Sequence, residues 1–301
     1  MSGSTTPTAA LPAPENRPTS GRRLLRRILG NSGTLIGGGL LLLIVLASLL
    51  GPLVYWQDPF TQDVANRLAE PFWNGGSALH PLGTDTLGRD YLARLLYGGR
   101  ISLLIGALAV SLAAAIGISL GLIAGYFGGR VDLAVRFLIT TRLAMPVVLV
   151  ALSVVASVGN SLTIVILVLG FLIWDRFAVV ARTTAMQVRG IDYVKAARAV
   201  GSSHARIIFR EILPNISNGL IVVATVELAN AILLEAALSF LGLGVQPPLP
   251  SWGLMIAEAK DYLFFSPWLI TLPGIALVLL VLAINLLGDG VRDITAPSGT
   301  R

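Results

Sequence analysis

Two carboxylates, Glu227 and Glu235, lie in an apolar stretch at residues 216–243. A charged side chain that faces lipid costs at least about 2.5 kcal/mol, so both side chains are expected to face protein or a watery path. Their separation of eight residues is about 80° around an ideal α-helix, so both can point inward without being aligned. Two interpretations are open: the carboxylates fix helix packing, or together with Asn230 they line a path for a solute.

Other reactive residue types form no catalytic or nucleotide-binding pattern. The chain has no cysteine, which excludes a disulfide framework, a thiolate metal site and a catalytic thiol. Its lysines, Lys195 and Lys260, follow Val194 and Ala259 instead of the glycine of a phosphate-binding loop. We therefore expect no catalytic residue, no metal site and no cofactor on this chain.

The loop at residues 191–214 predicts a short capped helix. Asp192 is a suitable N-cap, Tyr193–Val200 forms the helix, and Gly201 provides a left-handed stop. The helix is thin because it carries three alanines, Ala196, Ala197 and Ala199. Small side chains permit close approach of another backbone, and a helix this short is marginal alone. It is therefore expected to dock on a partner.

A second short helix is predicted to follow the glycine corner. Ser202 or Ser203 would cap it, and Pro214 would end it, because proline has no N–H and clashes with the preceding turn. Its apolar residues leave a second interpretation open, in which the loop rests on lipid as an interfacial helix.

The amino-acid composition indicates which kind of secondary structure must position these residues. Hydrophobic residues make up 54% of the 301-residue chain and charged residues only 13%, about half of the roughly 25% found in soluble domains. This excludes an ordinary soluble enzyme and a disordered protein. It also disfavours nucleic-acid binding, since the basic residues flank apolar runs. The composition is typical of an all-α polytopic membrane protein in a lipid bilayer.

The uncharged stretch at residues 143–173 determines the number of spans. If it were one span, the basic residues at 176–210 would lie outside, against the positive-inside rule. A turn at Gly159-Asn160-Ser161 instead divides it into two spans, the first of which begins near Val131. Six spans then put both termini in the cytoplasm, together with 17 of the 22 lysine and arginine residues.

The predicted organisation follows from these six spans. It comprises a disordered basic cytoplasmic tail (1–33), a first transmembrane helix (34–56), an extracytoplasmic segment (57–100), a core of five transmembrane helices (101–288) with a cytoplasmic loop (182–215), and a cytoplasmic tail (289–301). A short amphipathic helix is expected at 90–97. A Gly/Pro-rich outer loop precedes the last span, with Gln246, Pro247 and Trp252 as its candidate residues. Three interpretations are open: the loop contacts a partner, lines an outer gate, or serves as a stiff connector.

The cytoplasmic loop resembles a known family. The string Ala196-Ala197-x-x-x-Gly201, followed by Leu213-Pro214, is similar to the EAA loop of type I ABC-importer permeases. Lys195 stands where that family has glutamate, and Glu211 where it has isoleucine. These departures leave the spacing of the alanines, the glycine and the Leu-Pro pair intact.

Longer strings are similar to the second permease subunit of the dipeptide/oligopeptide/nickel subfamily. They are Pro81-Leu82-Gly83-Thr84-Asp85-x-Leu87-Gly88-Arg89-Asp90, Ala124-Gly125-Tyr126-x-Gly128-Gly129-x-Val131-Asp132, and Leu238-Ser239-Phe240-Leu241-Gly242-Leu243-Gly244-Val245-Gln246-Pro247-Pro248 with Ser251-Trp252-Gly253. The resemblance extends from about Arg22 to the C-terminus.

The resemblance implies the type I importer fold in a bacterial inner membrane and a permease for dipeptides or oligopeptides. The implied partners are a second permease subunit, two ATPase subunits that hold ATP and Mg, and an extracytoplasmic substrate-binding protein. The residues implied in ATPase coupling are Asp192, Tyr193, Lys195, Ala196, Ala197, Gly201, Leu213 and Pro214.

Other functions remain open from the sequence alone. Members of the subfamily also carry nickel chelates and glutathione-like solutes. An ion-coupled secondary transporter would need ligands at mid-membrane, for which Glu227 and Glu235 are the candidates. A membrane enzyme would convert a substrate when this chain is purified alone. A structural scaffold would show no transport of a substrate even when its partners are supplied.

Overall fold

A computed structural model describes residues 30–295, in which all regular structure is helical. Five helices are long and apolar enough to cross a membrane, and a bent pair makes up to six. The predicted all-helical polytopic fold is therefore confirmed. Of the predicted tails, the part up to Leu29 and the part from Ala296 onward lie outside the described residues.

We number ten helices along this part of the chain. They are α1 (Ser32–Val54), α2 (Tyr91–Phe127), α3 (Gly129–Leu143), α4 (Val147–Val158), α5 (Leu162–Leu172), α6 (Asp175–Val188), α7 (Asp192–Ala199), α8 (His204–Phe240), α9 (Trp252–Ala259) and α10 (Trp268–Thr295).

Helix α2 combines the predicted short helix at 90–97 and the predicted span that follows it. The short helix expected at 90–97 is not separate, because it forms the first turns of a helix of 37 residues. Asp90 caps this helix, and its Oδ1 accepts a hydrogen bond of 2.8 Å from the N–H of Ala93. At 1.5 Å per residue the helix is about 55 Å long, well beyond the roughly 30 Å hydrocarbon core of a bilayer. It therefore joins the outer segment to the spans.

The predicted third span is broken in the structure. Helices α3 and α4 are bent by 86° at the residues 144–146 between them. Pro146 cannot donate to the preceding turn and disfavours helical backbone at Met145, which explains the break. The predicted turn before the next span is present, since Gly159 has a φ of +117° and Ser161 caps α5.

A seam of small residues holds α2 against α6. The seam consists of Gly117, Gly121 and Gly125 on α2 and Ala178, Ala181 and Ala185 on α6. A Cβ atom built on Gly121 would lie 2.6 Å from the carbonyl oxygen of Ala178 and 2.7 Å from the Cβ of Ala181. Spacing of small residues at every fourth position is how membrane helices approach closely.

The outer segment is fixed to the helices by polar contacts at the start of α2. Asp90 accepts hydrogen bonds from the Tyr55 hydroxyl at 3.1 Å and from His80 at 2.8 Å. Burial and the Asp90 carboxylate raise the pKa of Tyr55. The buried Arg94 side chain also contacts Glu258 of α9 at 2.6 Å, so three parts of the chain meet at this helix start.

Candidate functional site

Helix α7 is a short projection anchored by one apolar side chain. Val194 is completely buried in a cluster that includes Ile207 and Ile212 of α8. Ala196 and Ala199 are exposed, and Ala197 is half-buried. Ala196 and Ala199 thus form an exposed small-residue surface in the described part of the chain.

The polar residues of α7 differ in part from the prediction. The N-cap is Ile191 without a side-chain hydrogen bond, so Asp192 is not the cap. Asp192 lies in the first turn, where its carboxylate is 3.1 Å from the exposed Lys195 ammonium. A carboxylate there interacts favourably with the positive helix end without capping it. The Tyr193 hydroxyl accepts a hydrogen bond of 3.0 Å from Asn215 and so ties α7 to α8.

The stop predicted at Gly201 is present. Gly201 has a φ of +83°, its N–H donates to the carbonyl of Arg198, and the N–H of Ser202 donates to the carbonyl of Ala197, both at 3.0 Å. These two bonds form a Schellman motif, which needs a left-handed residue at this position. The direction of the chain after α7 therefore depends on Gly201.

The second helix of the loop starts as predicted but does not end at Pro214. The Ser203 hydroxyl caps it by accepting from the N–H of Arg206 at 3.3 Å. A π-helical turn at Ile207–Ile212 then leads directly into the membrane-spanning part of α8. Pro214 removes one α-type hydrogen bond and needs a wider preceding turn, which a π turn provides. Leu213 is half-buried and Pro214 exposed at this junction.

The loop is also fixed to the end of α2, by contacts that the sequence analysis missed. The Tyr126 hydroxyl is 2.8 Å from His204 Nδ1, and the Arg198 guanidinium lies 5.2 Å from the Tyr126 ring centre. Arg189 donates to the last carbonyls of α2, those of Gly125 at 3.1 Å and Tyr126 at 3.0 Å. Arg189 is 63 residues from Tyr126 along the chain, so no local sequence signal predicts this contact.

A cleft of about 510 Å³ lies where the α3–α4 bend faces α6 and α8. Glu227 Oε1 lies 3.1 Å from Arg176 Nη1, and Asn230 donates to the same oxygen at 3.4 Å. Arg142 Nη2 is 3.8 Å from Asp175 Oδ1 and also donates to the carbonyl of Leu172 at the end of α5. The lining residues are Arg142, Leu143, Met145, Val147, Val148, Ile173, Asp175, Arg176, Glu227, Asn230, Leu233, Leu234 and Ala237.

The cleft carries two cations, two anions and the amide of Asn230 in an otherwise apolar wall. Sequence analysis identified Glu227 and Asn230 but not the role of Asp175 and Arg176. A sequence signal exists for these two, since they directly follow the long uncharged stretch. No group of three or more histidine, aspartate or glutamate side chains within residues 30–295 is arranged to hold a metal ion.

Glu235 does not line this cleft. Its side chain is fully buried, and Oε1 accepts hydrogen bonds from the hydroxyls of Ser239 at 2.7 Å and Ser251 at 2.8 Å. The structure therefore separates the two carboxylates: Glu227 lies in an open cleft, and Glu235 lies between α8 and the start of α9.

The three candidate residues of the outer loop also lie in different surroundings. Gln246 folds back on its own loop, with Nε2 at 3.0 Å from the carbonyl of Gly244, and Pro247 is exposed. Trp252 is buried, and its indole N–H donates to the carbonyl of Leu95 at 2.8 Å. Trp252 thus anchors α9 on α2 instead of forming part of the outer surface.

Five to six apolar spans, a projecting helix between two of them and a charged cleft define a membrane-transport permease. Residues 117–299 match the family described as binding-protein-dependent transport system inner membrane component. Residues 19–71 match the N-terminal transmembrane domain of oligopeptide transport permease C. The chain belongs to this family of binding-protein-dependent transport permeases, and the resemblance inferred from its motifs is confirmed.

Named relatives match over most of their length. The di/tripeptide transport system permease protein DppC of Pseudomonas aeruginosa is 43% identical over 89% of this chain and 88% of its own. The dipeptide transport system permease protein DppC of Haemophilus influenzae is 40% identical over 89% and 91%. The glutathione transport system permease protein GsiD of Pectobacterium atrosepticum is 36% identical over 92% and 89%.

A solved structure supports the fold. The inward-facing MetNI methionine ABC transporter matches with a TM-score of 0.55 and 19% identity, over 67% of this chain and 97% of that chain. At this identity the likeness establishes the shared fold of an importer permease and nothing about cargo.

Proposed function

We propose that this chain is one of two permease subunits of an ATP-driven importer for dipeptides and oligopeptides in a bacterial inner membrane. The peptide cargo is supported by relatives whose names refer to di- and tripeptide transport, with 40–43% identity over most of both chains. Family membership favours dependence on a binding protein over ion coupling.

The proposed complex contains a second permease subunit, two ATPase subunits that hold ATP and Mg, and an extracytoplasmic binding protein. Segments 1–33, 182–215 and 289–301 would face the cytoplasm, and segment 57–100 would face outside. The distribution of arginine and lysine supports this orientation. Gln246 and Pro247 would contact the binding protein, while Trp252 holds the outer loop in place.

The observation that carries the proposal is the exposed alanine surface of α7 beside a fixed glycine stop. Helix α7, with Ala196 and Ala197 at its centre, would insert into a cleft of an ATPase subunit. Closure of the ATPase pair would then draw the two docked helices together and reorient the spans by rigid-body motion. Lys195 and Tyr193 would border this contact, and Leu213-Pro214 would connect it to α8.

For the path, the proposal assigns different roles to the two carboxylates. Glu227 and Asn230 would line the route of the cargo, because both border an open cleft. Glu235 would fix helix packing, because its hydrogen-bond partners are two buried hydroxyls.

The test is dipeptide uptake by the complete complex in proteoliposomes, with ATP inside and the binding protein outside. We expect the native complex to accumulate dipeptide only with ATP, and Gly201→Val to reduce uptake several-fold while ATP hydrolysis and membrane insertion persist. The physical reason is that a left-handed backbone costs a non-glycine residue roughly 1–2 kcal/mol, although space for the side chain is open.

Gly190→Ala is the matched control, since this loop glycine has no positive φ and its Cβ would make only an ordinary contact at 3.4 Å. Unchanged uptake by the Gly201 variant would contradict the docking role of α7. Absence of dipeptide uptake by the native complex would contradict the proposed function itself.

A further inference from the structure

We propose that the cleft between the α3–α4 bend, α6 and α8 binds the two charged ends of a free peptide, its α-ammonium and its α-carboxylate. Glu227 receives the ammonium, and Arg176 leaves Glu227 to receive the carboxylate. This inference rests on the proposed function and specifies the cargo chemistry that the permease itself recognises.

The first step of the argument is the asymmetry of the Arg176–Glu227 pair. The Arg176 side chain is 59% exposed and the Glu227 side chain only 4%. The exposed Arg176 side chain therefore has room to reorient, whereas Glu227 is fixed in the wall and keeps Asn230 as a neutral donor. If Arg176 left without a replacement, a buried carboxylate would remain unpaired, which is strongly unfavourable. An incoming ammonium removes that penalty.

The second step is the charge balance of the lining. Arg142 and Arg176 face Asp175 and Glu227, so the wall has two charges of each sign. Arg142 Nε is buried and has no hydrogen-bond partner within the described residues. A ligand with one charge of each sign preserves this balance, whereas a singly charged ligand leaves one wall charge uncompensated.

The third step is the broken helix. Helix α3 ends at Leu143 and the twelve-residue α4 begins at Val147, and both residues line the cleft. A helix end is partially negative at its C-terminus and partially positive at its N-terminus, with unbonded carbonyls and N–H groups respectively. The bend thus adds one partial charge of each sign to the same wall. Broken helices in transporters place such ends at charged substrate groups.

Apart from the four charged side chains and Asn230, the wall is apolar and does not select among the side chains of the cargo. Val148, Leu233 and Leu234 offer contact without directed hydrogen bonds. The volume of about 510 Å³ lies within the 300–1,000 Å³ typical of small-molecule sites. Recognition by end groups alone explains how one permease accepts peptides of different sequence.

The experiment measures equilibrium binding of radiolabelled alanyl-alanine to the assembled complex in lipid nanodiscs, without nucleotide and without binding protein. N-acetyl-alanyl-alanine and alanyl-alanine amide, which each lack one charged end, are the comparison ligands. Because a charged hydrogen bond is lost, Arg176→Gln and Glu227→Gln should each weaken alanyl-alanine binding at least about tenfold. Binding of the amide should not weaken in Arg176→Gln, because the amide has no carboxylate for that arginine. Binding of the acetylated peptide should strengthen in Glu227→Gln, because this ligand then leaves no buried carboxylate unpaired.

Arg136→Gln is the control, since this arginine is also 56% exposed but pairs with Asp132 away from the cleft. Assembly of each variant is checked by ATP hydrolysis stimulated by the binding protein. Absence of saturable binding to the native complex, or an equal loss for all three ligands in both variants, would overturn the inference. If the native complex still imports dipeptides in that case, the proposed function stands; if it imports none, the proposed function fails separately.

Discussion

Glu227 and Glu235 lie on the same helix, yet their surroundings give them different chemistry. Glu227 faces an exposed guanidinium across an open cleft. Glu235 has no cationic partner among its hydrogen bonds in the described part of the chain, only the hydroxyls of Ser239 and Ser251. A neutral amide can accept the same two hydrogen bonds, so the negative charge of Glu235 is dispensable for packing.

We predict that Glu235→Gln retains assembly and dipeptide uptake, whereas Glu235→Ala lowers stability. Alanine removes the acceptor of two buried hydroxyls, and each unsatisfied polar group costs about 1–3 kcal/mol. Thermal unfolding of the purified complex measures the difference. Loss of uptake in a stably assembled Glu235→Gln complex would show that the charge acts in transport, against the packing role.

Local signals predicted some single residues but not all. The stop at Gly201 is present, and of the two serines predicted as caps, Ser202 or Ser203, the structure uses Ser203. The cap predicted at Asp192 was wrong, since Ile191 occupies that position. The partner of Glu227 was not predictable, because Arg176 reaches it only through the packing of α6 against α8. A pattern along the chain defines a buried charge but does not identify its counter-ion.

At the scale of elements, the contact between α2 and α6 depends on backbone proximity. The glycines of the seam leave no room for a Cβ atom, since even Gly125 would place one 2.6 Å from the carbonyl oxygen of Arg182. Membrane helices gain little from apolar burial against each other, so close van der Waals contact is the main source of stability there.

We predict that Gly121→Ala destabilises the complex by about 1–3 kcal/mol, because overpacking forces the two helices apart. Gly39→Ala is the matched control, since Gly39 lies in the exposed face of α1 with nothing within 4 Å of the added Cβ. Thermal unfolding and the yield of assembled complex are the measurements. Equal stability of the two variants would contradict a seam that depends on backbone contact.

Helix boundaries were predictable only where side-chain chemistry alone decides them. Pro214 predicts a helix end from its missing N–H, but the chain widens into a π turn and continues. Pro146 has the same chemistry and does accompany a break of 86°. The difference lies in the surrounding packing, since Ile207 and Ile212, the first and last residues of the π turn, are completely buried. One sequence cannot reveal that packing.

At the scale of the whole molecule, orientation in the membrane is the property on which the proposed coupling depends. The chain contains no cysteine, so single introduced thiols report on their own position. Val200 is 86% exposed beside α7, and Ala78 is exposed in the outer segment.

We predict that a membrane-impermeant maleimide labels Ala78→Cys in intact spheroplasts and Val200→Cys only in inverted vesicles. The physical reason is the accumulation of basic residues on the side of α7, which the positive-inside rule assigns to the cytoplasm. The native chain is the control and should remain unlabelled. Labelling of both thiols from the same side would contradict the six-span topology.

Helix α8 runs from His204, next to the glycine corner, through the π turn at Ile207–Ile212 to Glu227 in the cleft. Twenty-three residues at 1.5 Å each place these two points about 35 Å apart on one rod. Because the two points lie on one hydrogen-bonded helix, a rotation of its cytoplasmic end would be passed on toward Glu227. The proposed cargo contact at Glu227 and the proposed motion of the loop would therefore be coupled through this one helix.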